Sequence, residues 1–360
     1  MRRILHTAAA ALTGALLLLP MPAQAEEDFY DGFDGSRLDT DQWLVAEKNW
    51  GGTVVENGET VDYNGGVLAE NVSVADGCLI LTGYGNLYEG DVRGINRSGT
   101  RREDGKRCGA AIATREYFAS GSYEIRARIA PELGCCSAMW TFEYEEDYTG
   151  DAVQITNHEI DIEFPGRDAS DAFSLGHALC TTWVTPEDYG TQSVDCGPQA
   201  DGRFHTYRFD WHTGSDTETP RVEYYFDDEL LYTSYAYIPT NAGRFWLGLW
   251  FPRYWAGTPD FDTQTFVIDY ARITPFHESG DRPQQESYPD SGWAQVRDTL
   301  GDVNADGAFG LTDAVALQKW LVRIPGAALV SWRCADYDND AVLTVADLSL
   351  MKRSLLARER

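Results

Sequence analysis

The stretch His158-Glu159-Ile160-Asp161-Ile162-Glu163-Phe164 alternates polar and apolar residues without a break. In a strand, successive side chains point to opposite faces, so Ile160 and Ile162 go one way and Glu159, Asp161 and Glu163 the other. A sheet with one oily face must bury it against a second layer. The same rhythm recurs at 77–81, 122–129, 221–226 and 265–273, with Gly, Asn and Asp turns between. No stretch of comparable size between 29 and 276 repeats with a helical period. An antiparallel all-β sandwich is the expected architecture.

Three carboxylates aligned on one face repel one another, and no basic side chain is interleaved. Two readings stand side by side. A solvated acidic face is one. The other is chemistry that needs one carboxyl to keep its proton. Glu159 and Glu163 are four residues apart, about 13 Å between Cα atoms in an extended strand. Inclined side chains can close that gap to the ~5–5.5 Å between the carboxyls of a retaining glycosidase. Like charge and desolvation then raise one pKa, so that one Glu protonates a leaving oxygen while the other attacks. Asp161 between them can hydrogen-bond the nucleophile.

At these residues the chain resembles glycoside hydrolase family 16, whose members carry Glu-x-Asp-x-Glu on a strand of a jelly-roll β-sandwich. The likeness extends over most of 29–276. It includes Gly121-Ser122-Tyr123-Glu124-Ile125-Arg126-Ala127, Phe204-His205-Thr206-Tyr207-Arg208-Phe209-Asp210-Trp211 and Tyr225-Phe226-Asp227-Asp228. The resemblance implies Glu159 as nucleophile, Asp161 as its helper and Glu163 as general acid/base, with no cofactor for catalysis. The five-residue form, without an inserted residue, is similar to the lichenase branch that cuts β-1,3-1,4-glucan. Laminarin, xyloglucan, transglycosylation or a non-catalytic carbohydrate-binding role are the alternatives. Gly248-Leu249-Trp250 stands where that branch has Asn-Leu-Trp, and His158 directly precedes the nucleophile. The family also implies a structural calcium near Asp269. Trp140, Trp183, Trp250 and Trp255 are the candidates for stacking on sugar rings, with a core role as the alternative for each. His205 reads as a hydrogen-bonded structural histidine.

The chain has 29 basic and 57 acidic residues, a net charge of -28. Such a surface repels phosphate backbones and anionic lipid, which argues against nucleic acid and membrane as partners. Residues 1–25 carry Arg2 and Arg3, an apolar run and Ala23-Gln24-Ala25, the pattern of a cleaved signal peptide. An exported, extracellular protein is expected, with the catalytic domain at 26–276. The seven cysteines are an odd number. Cys180 and Cys196 are the best candidates for a pair, while Cys135 and Cys136 point to opposite faces if they lie in a strand.

Residues 277–298 are polar and broken by prolines, a linker candidate. The segment 299–360 carries an internal repeat offset by 34. Asp302, Asn304, Asp306 and Asp313 are matched by Asp336, Asp338, Asp340 and Asp347. These occupy positions 1, 3, 5 and 12 of a calcium loop, whose hard oxygen ligands suit Ca²⁺. A helical pattern follows each loop, with Leu317, Trp320 and Leu321 in one copy and Leu348, Met351 and Leu355 in the other. The duplicated unit resembles a type I dockerin, a small all-α module. The likeness implies structural Ca²⁺ and a cohesin partner on a cellulosome scaffold, with Leu311-Thr312 and Val345-Ala346 contributing to the choice of partner. A β-glucan polysaccharide is the implied substrate of the large domain, and a monomer is expected before docking.

Overall fold

Alternation along the chain produces eighteen strands among the described residues. The first nine are β1 (Phe29–Asp31), β2 (Trp43–Val45), β3 (Thr53–Glu56), β4 (Glu59–Asp62), β5 (Gly66–Val67), β6 (Val72–Ala75), β7 (Cys78–Tyr84), β8 (Cys108–Thr114) and β9 (Gly121–Arg128). The rest are β10 (Cys136–Asp147), β11 (Gln154–Phe164), β12 (His177–Trp183), β13 (Tyr189–Asp195), β14 (His205–His212), β15 (Arg221–Phe226), β16 (Glu229–Ser234), β17 (Arg244–Trp250) and β18 (Thr263–Pro275). Two helices follow, α1 (Leu311–Leu321) and α2 (Val345–Arg358). The computed structural model describes residues 28–358 apart from 36, 51–52, 57, 92, 97–98, 103–105, 148–153, 166–174, 253–254, 286–292, 295–300, 305–308, 325–326, 328, 330–333, 336 and 338–342. The expected leader at 1–25 and the loop residues Asp306, Asp336, Asp338 and Asp340 lie outside the described residues.

Most of the strands form two antiparallel layers, while β3 and β4 pair only with each other and β5 runs parallel to β8. One runs β13-β12-β11-β10-β17-β8-β2. The other runs β6-β7-β18-β9-β14-β15-β16, with β1 on β18. They meet along one edge through the pair Tyr84↔Cys108. β14 shows why the layers stay together. Tyr207, Phe209 and Trp211 are buried, while Thr206, Arg208 and Asp210 on the other face are not. Between the layers Tyr123 stacks on Phe209 at 4.8 Å, and Trp43, Phe245, Ile160 and Ile162 share the same core.

β8 is buried on both faces. Ala110 and Ile112 join the inter-sheet core, whereas Ala111 and Ala113 underlie a second apolar cluster of tryptophans on the outer, concave side. Cys135 and Cys136 divide the same way, one into the core and one into the concave cluster. Cys180 and Cys196 are both free thiols. The register places Cys180 opposite Gln192, four residues short of Cys196, and the Cys196 thiol donates to the Gly176 carbonyl.

The stretch expected to link two domains lies against the sandwich over its described first part. Glu278 accepts hydrogen bonds from His212 and the Gly214 amide, at 2.6 and 2.7 Å. Asp281 accepts from Ser120 and Thr213, and the Ala242 amide donates to the Arg282 carbonyl. Polar, proline-broken composition therefore marks a segment without strand periodicity; it does not mark one free of contacts.

The C-terminal helices keep the 34-residue offset in three dimensions. Ala314 and Leu317 of α1 and their counterparts Leu348 and Met351 of α2 are buried in one small core. Asp313 accepts from the amides of Val303 and Gly310, and Asp347 from those of Tyr337 and Thr344, the same positions one repeat later. Lys352 donates to Gln318, its own equivalent, as two copies related by a pseudo-twofold axis require.

Gly109 of β8 is where close approach matters most, because a Cβ there would stand 1.9 Å from the Leu249 carbonyl oxygen on β17. Gly109→Ala is expected to destabilise the sandwich by about 1–3 kcal/mol. At roughly 2–4 °C per kcal/mol this shows as a lower Tm in scanning calorimetry.

Candidate active site

β11 sits between β10 and β12 on the concave layer, and pairing on both sides fixes where each of its side chains stands. Glu159 faces Phe142 and Trp183, Asp161 faces Trp140 and Thr181, and Glu163 faces Ala138 and Leu179. β17 extends these rows, with Trp246 beside Trp140, Gly248 beside Ala138 and Trp250 beside Cys136. The rows floor a cavity of about 430 Å³ lined by the three carboxyls, Trp50, Trp140, Phe142, Trp246, Trp250, Lys48 and Asn49. Ile160 and Ile162 turn into the core, as the alternation requires.

The carboxyls are held individually. Asn157 donates to Glu159 Oε2 at 2.9 Å, and the Trp183 indole N–H donates to Asp161 Oδ2 at 2.9 Å. The Cys136 thiol lies 3.8 Å from Glu163 Oε1. Asp161 is 5% exposed; its neighbours are half-buried. Burial pushes all three pKa values up. Burial first, and then the charges of Glu159 and Glu163, lift Asp161 well above its ordinary value, and its hydrogen bond with Glu159 favours the protonated form of Asp161. That hydrogen bond and the one from Asn157 favour ionised Glu159 and hold its rise to about 7. Glu163, desolvated and facing the Glu159 charge, is pushed to about 8. The hydrogen bonds thus bias ionisation toward Glu159 within the row.

The four candidate tryptophans occupy different places. Trp140, 6% exposed, stacks on Trp246 at 5.4 Å, with Trp50 edge-on to both. Its ring takes the space above Gly248, where a Cβ would lie 2.8 Å from Trp140 Cη2. Trp250 lines the cavity, and Trp255 packs edge-on against it at 5.6 Å. Trp183 stacks on Tyr189 at 4.1 Å while its N–H holds Asp161. His158 points away from the carboxyls; it accepts from the Asn241 amide, and burial lowers its pKa to about 4. His205 lies on the other layer between Asp201 and Asp227. Asp269 is paired with Arg126 at 2.5 Å.

Asn157, Trp50 and Trp246 also belong to the site. Asn157 was within reach of the alternation that selects Glu159, since it precedes it by two, and Trp246 precedes Trp250 by four on one strand. Nothing local marks Trp50, which reaches the site only through the fold. Of the calcium-loop residues, Asp302, Asp313 and Asp347 are fully buried in the C-terminal part, and Asn304 is half-buried.

The model of the family described as glycosyl hydrolases family 16 matches residues 81–272. A β-glucanase of Acetivibrio thermocellus is 26% identical over 301 residues, covering 80% of this chain and 76% of its own. The endo-1,3-1,4-beta-glycanase ExoK of Rhizobium meliloti is 30% identical over 226 residues, 62% of this chain and 68% of its own. The Bacillus licheniformis β-glucanase structure superposes with a TM-score of 0.50 at 22% identity, covering 70% of this chain and 99% of its own, a likeness of fold.

A raised carboxyl pKa has a cost in stability. Folded Glu163 holds its proton up to about 8, whereas the unfolded residue releases it near 4.5. Its stabilising proton is thus present below pH ~4.5 and lost as pH rises through 8. Glu163→Gln cannot ionise, so its Tm should match or trail wild type at pH 4 and exceed it at pH 8.5, as read by differential scanning fluorimetry. A family match across more than half the chain, spanning the strand that carries the three carboxyls, makes this protein a glycoside hydrolase belonging to glycosyl hydrolases family 16.

Proposed function

We propose that the protein is a secreted, retaining endo-β-glucanase acting on β-1,3-1,4-glucan. The observation that carries this reading is the unbroken row Glu159, Asp161, Glu163 on one groove floor, where burial raises all three pKa values while the hydrogen bonds from Asn157 and Asp161 favour the ionised form of Glu159. Glu159 attacks the anomeric carbon as Glu163 gives its proton to the departing glycosidic oxygen, leaving a glycosyl ester on Glu159. Glu163, now ionised, takes a proton from water, the water oxygen attacks the anomeric carbon, and Glu159 leaves as carboxylate. Asp161 keeps the nucleophile oriented through its hydrogen bond. Trp183 in turn fixes Asp161 by a bond that only an indole edge or similar donor supplies.

The choice of glucan rests on the two relatives named as β-glucanase and endo-1,3-1,4-β-glycanase. One observation favours a second reading within the family, cleavage of laminarin, xyloglucan or another β-glycan, with or without transglycosylation. Trp140 occupies the space above Gly248, which reshapes the groove wall beside the carboxyls. A non-catalytic binding module has no use for three aligned acids, one buried and two half-buried, with raised pKa values.

The C-terminal repeat is proposed to be a dockerin that binds Ca²⁺ and attaches the enzyme to a cohesin of a cellulosome scaffold. Its donor set of carboxylate and amide oxygens, with Asp302 and Asp313 fully buried, suits a hard cation. Leu311 and Val345, equivalent positions of the two copies, are 74% and 72% exposed, apolar surface suited to a protein partner.

Reducing-end release from barley-type mixed-linkage glucan, with products linkage-mapped by mass spectrometry, tests the first proposal. Glu159→Gln should lower kcat by roughly 10³-fold or more with an unchanged circular dichroism spectrum. Activity on laminarin alone would move the assignment to the second reading, and a fully active Glu159→Gln would overturn the mechanism. Chelation with EDTA should reduce the helical signal at 222 nm without loss of glucanase activity, and added Ca²⁺ should restore it.

A further inference from the structure

Three indoles form a continuous stack across the strands. Trp140, beside Asp161 in register, lies 5.4 Å from Trp246, and Trp246 lies 4.9 Å from Trp293 with 26° between the planes. The third ring comes from outside the sandwich. Trp293 follows the strands by eighteen residues, yet it bridges Ala46 just after β2, and the Ala294 amide donates to the Val45 carbonyl at 2.7 Å. This pairing adds a short segment to the edge of the layer that carries the carboxyls. Ala113, directly beside Trp246 in register, leaves room for the ring to reach over β8.

Lys48 ties the arrangement to the cavity. It lines the cavity itself, and its ammonium stands 5.0, 5.2 and 5.9 Å from the rings of Trp50, Trp246 and Trp293. A cation among three aromatic faces holds them in a fixed arrangement. Trp246, with Trp293 on one side and Trp140 on the other, is only 4% exposed.

We propose that the segment following the sandwich completes the substrate groove, with Trp293 as a positioning residue that fixes the Trp140–Trp246 wall and so sets affinity for glucan units away from the scissile bond. This rests on the glucanase reading above. Removing the ring leaves Trp246 and Lys48 without their outer support, so substrate binding suffers while the carboxyl row on β11 stays in place.

The test is steady-state kinetics of the full chain on mixed-linkage oligosaccharides of increasing length. Wild-type KM should fall with length, and Trp293→Ala should blunt that fall. On the longest substrates its KM should be about fivefold to tenfold higher, the effect of one aromatic contact, with kcat within about twofold. Trp293→Phe should recover most of the affinity. Ala294→Pro, which removes the docking N–H and leaves the indole, should raise KM as Trp293→Ala does. Unchanged KM in both Trp293→Ala and Ala294→Pro would overturn the proposal, as would a fall in kcat and Tm without a length-dependent KM. Failure of wild type to cut any glucan overturns the functional reading instead, so the two failures are distinguishable.

Discussion

Three carboxyl groups on alternate residues of one half-buried strand cannot all carry charge, and the rest of the site depends on how that conflict is resolved. Burial and two like neighbours raise the pKa of Asp161 and favour its protonated form. The hydrogen bond it then gives makes Glu159 the easier of the two glutamates to ionise. The same strand needs Ile160 and Ile162 on its reverse, because only a strand anchored in a core can hold repelling groups in line. Reactivity and packing are thus opposite faces of one seven-residue pattern.

The aromatic cluster serves the same end. Trp140, Trp246 and Trp50 pack apolar surface beside the carboxyls, and that desolvation raises the pKa values. β8 accommodates this second apolar layer with alanines, Ala111 and Ala113, on the concave side, and Gly109 lets β17 come close. The bulk placed in the groove is matched by small residues beneath it.

Much of this was legible in the sequence. Strict alternation placed β11, β9, β15 and β18 and separated the acids from the isoleucines, because period two leaves no choice of face. The repeat at 302–313 and 336–347 anticipated two helices that bury equivalent residues. What the sequence hid depends on contacts between distant segments. Trp183, a candidate for stacking on sugar, is paired by β12 with Glu159 and gives its N–H to Asp161, a contact that no local pattern marks. The contacts made by residues 277–285, within the linker candidate 277–298, were not legible because hydrogen bonds to isolated side chains such as Glu278 and Asp281 leave no periodic trace. Cys180 and Cys196 looked paired because sequence distance does not reveal register.

The overlap of Trp140 with the space above Gly248 constrains how such a groove can arise. A side chain at 248 and this orientation of the indole at 140 exclude each other, since even a single carbon would fall inside the ring's contact distance. The two positions, on different strands and more than a hundred residues apart in sequence, are therefore sterically coupled: any larger residue at 248 obliges the indole at 140 to turn, and with it the wall of the groove.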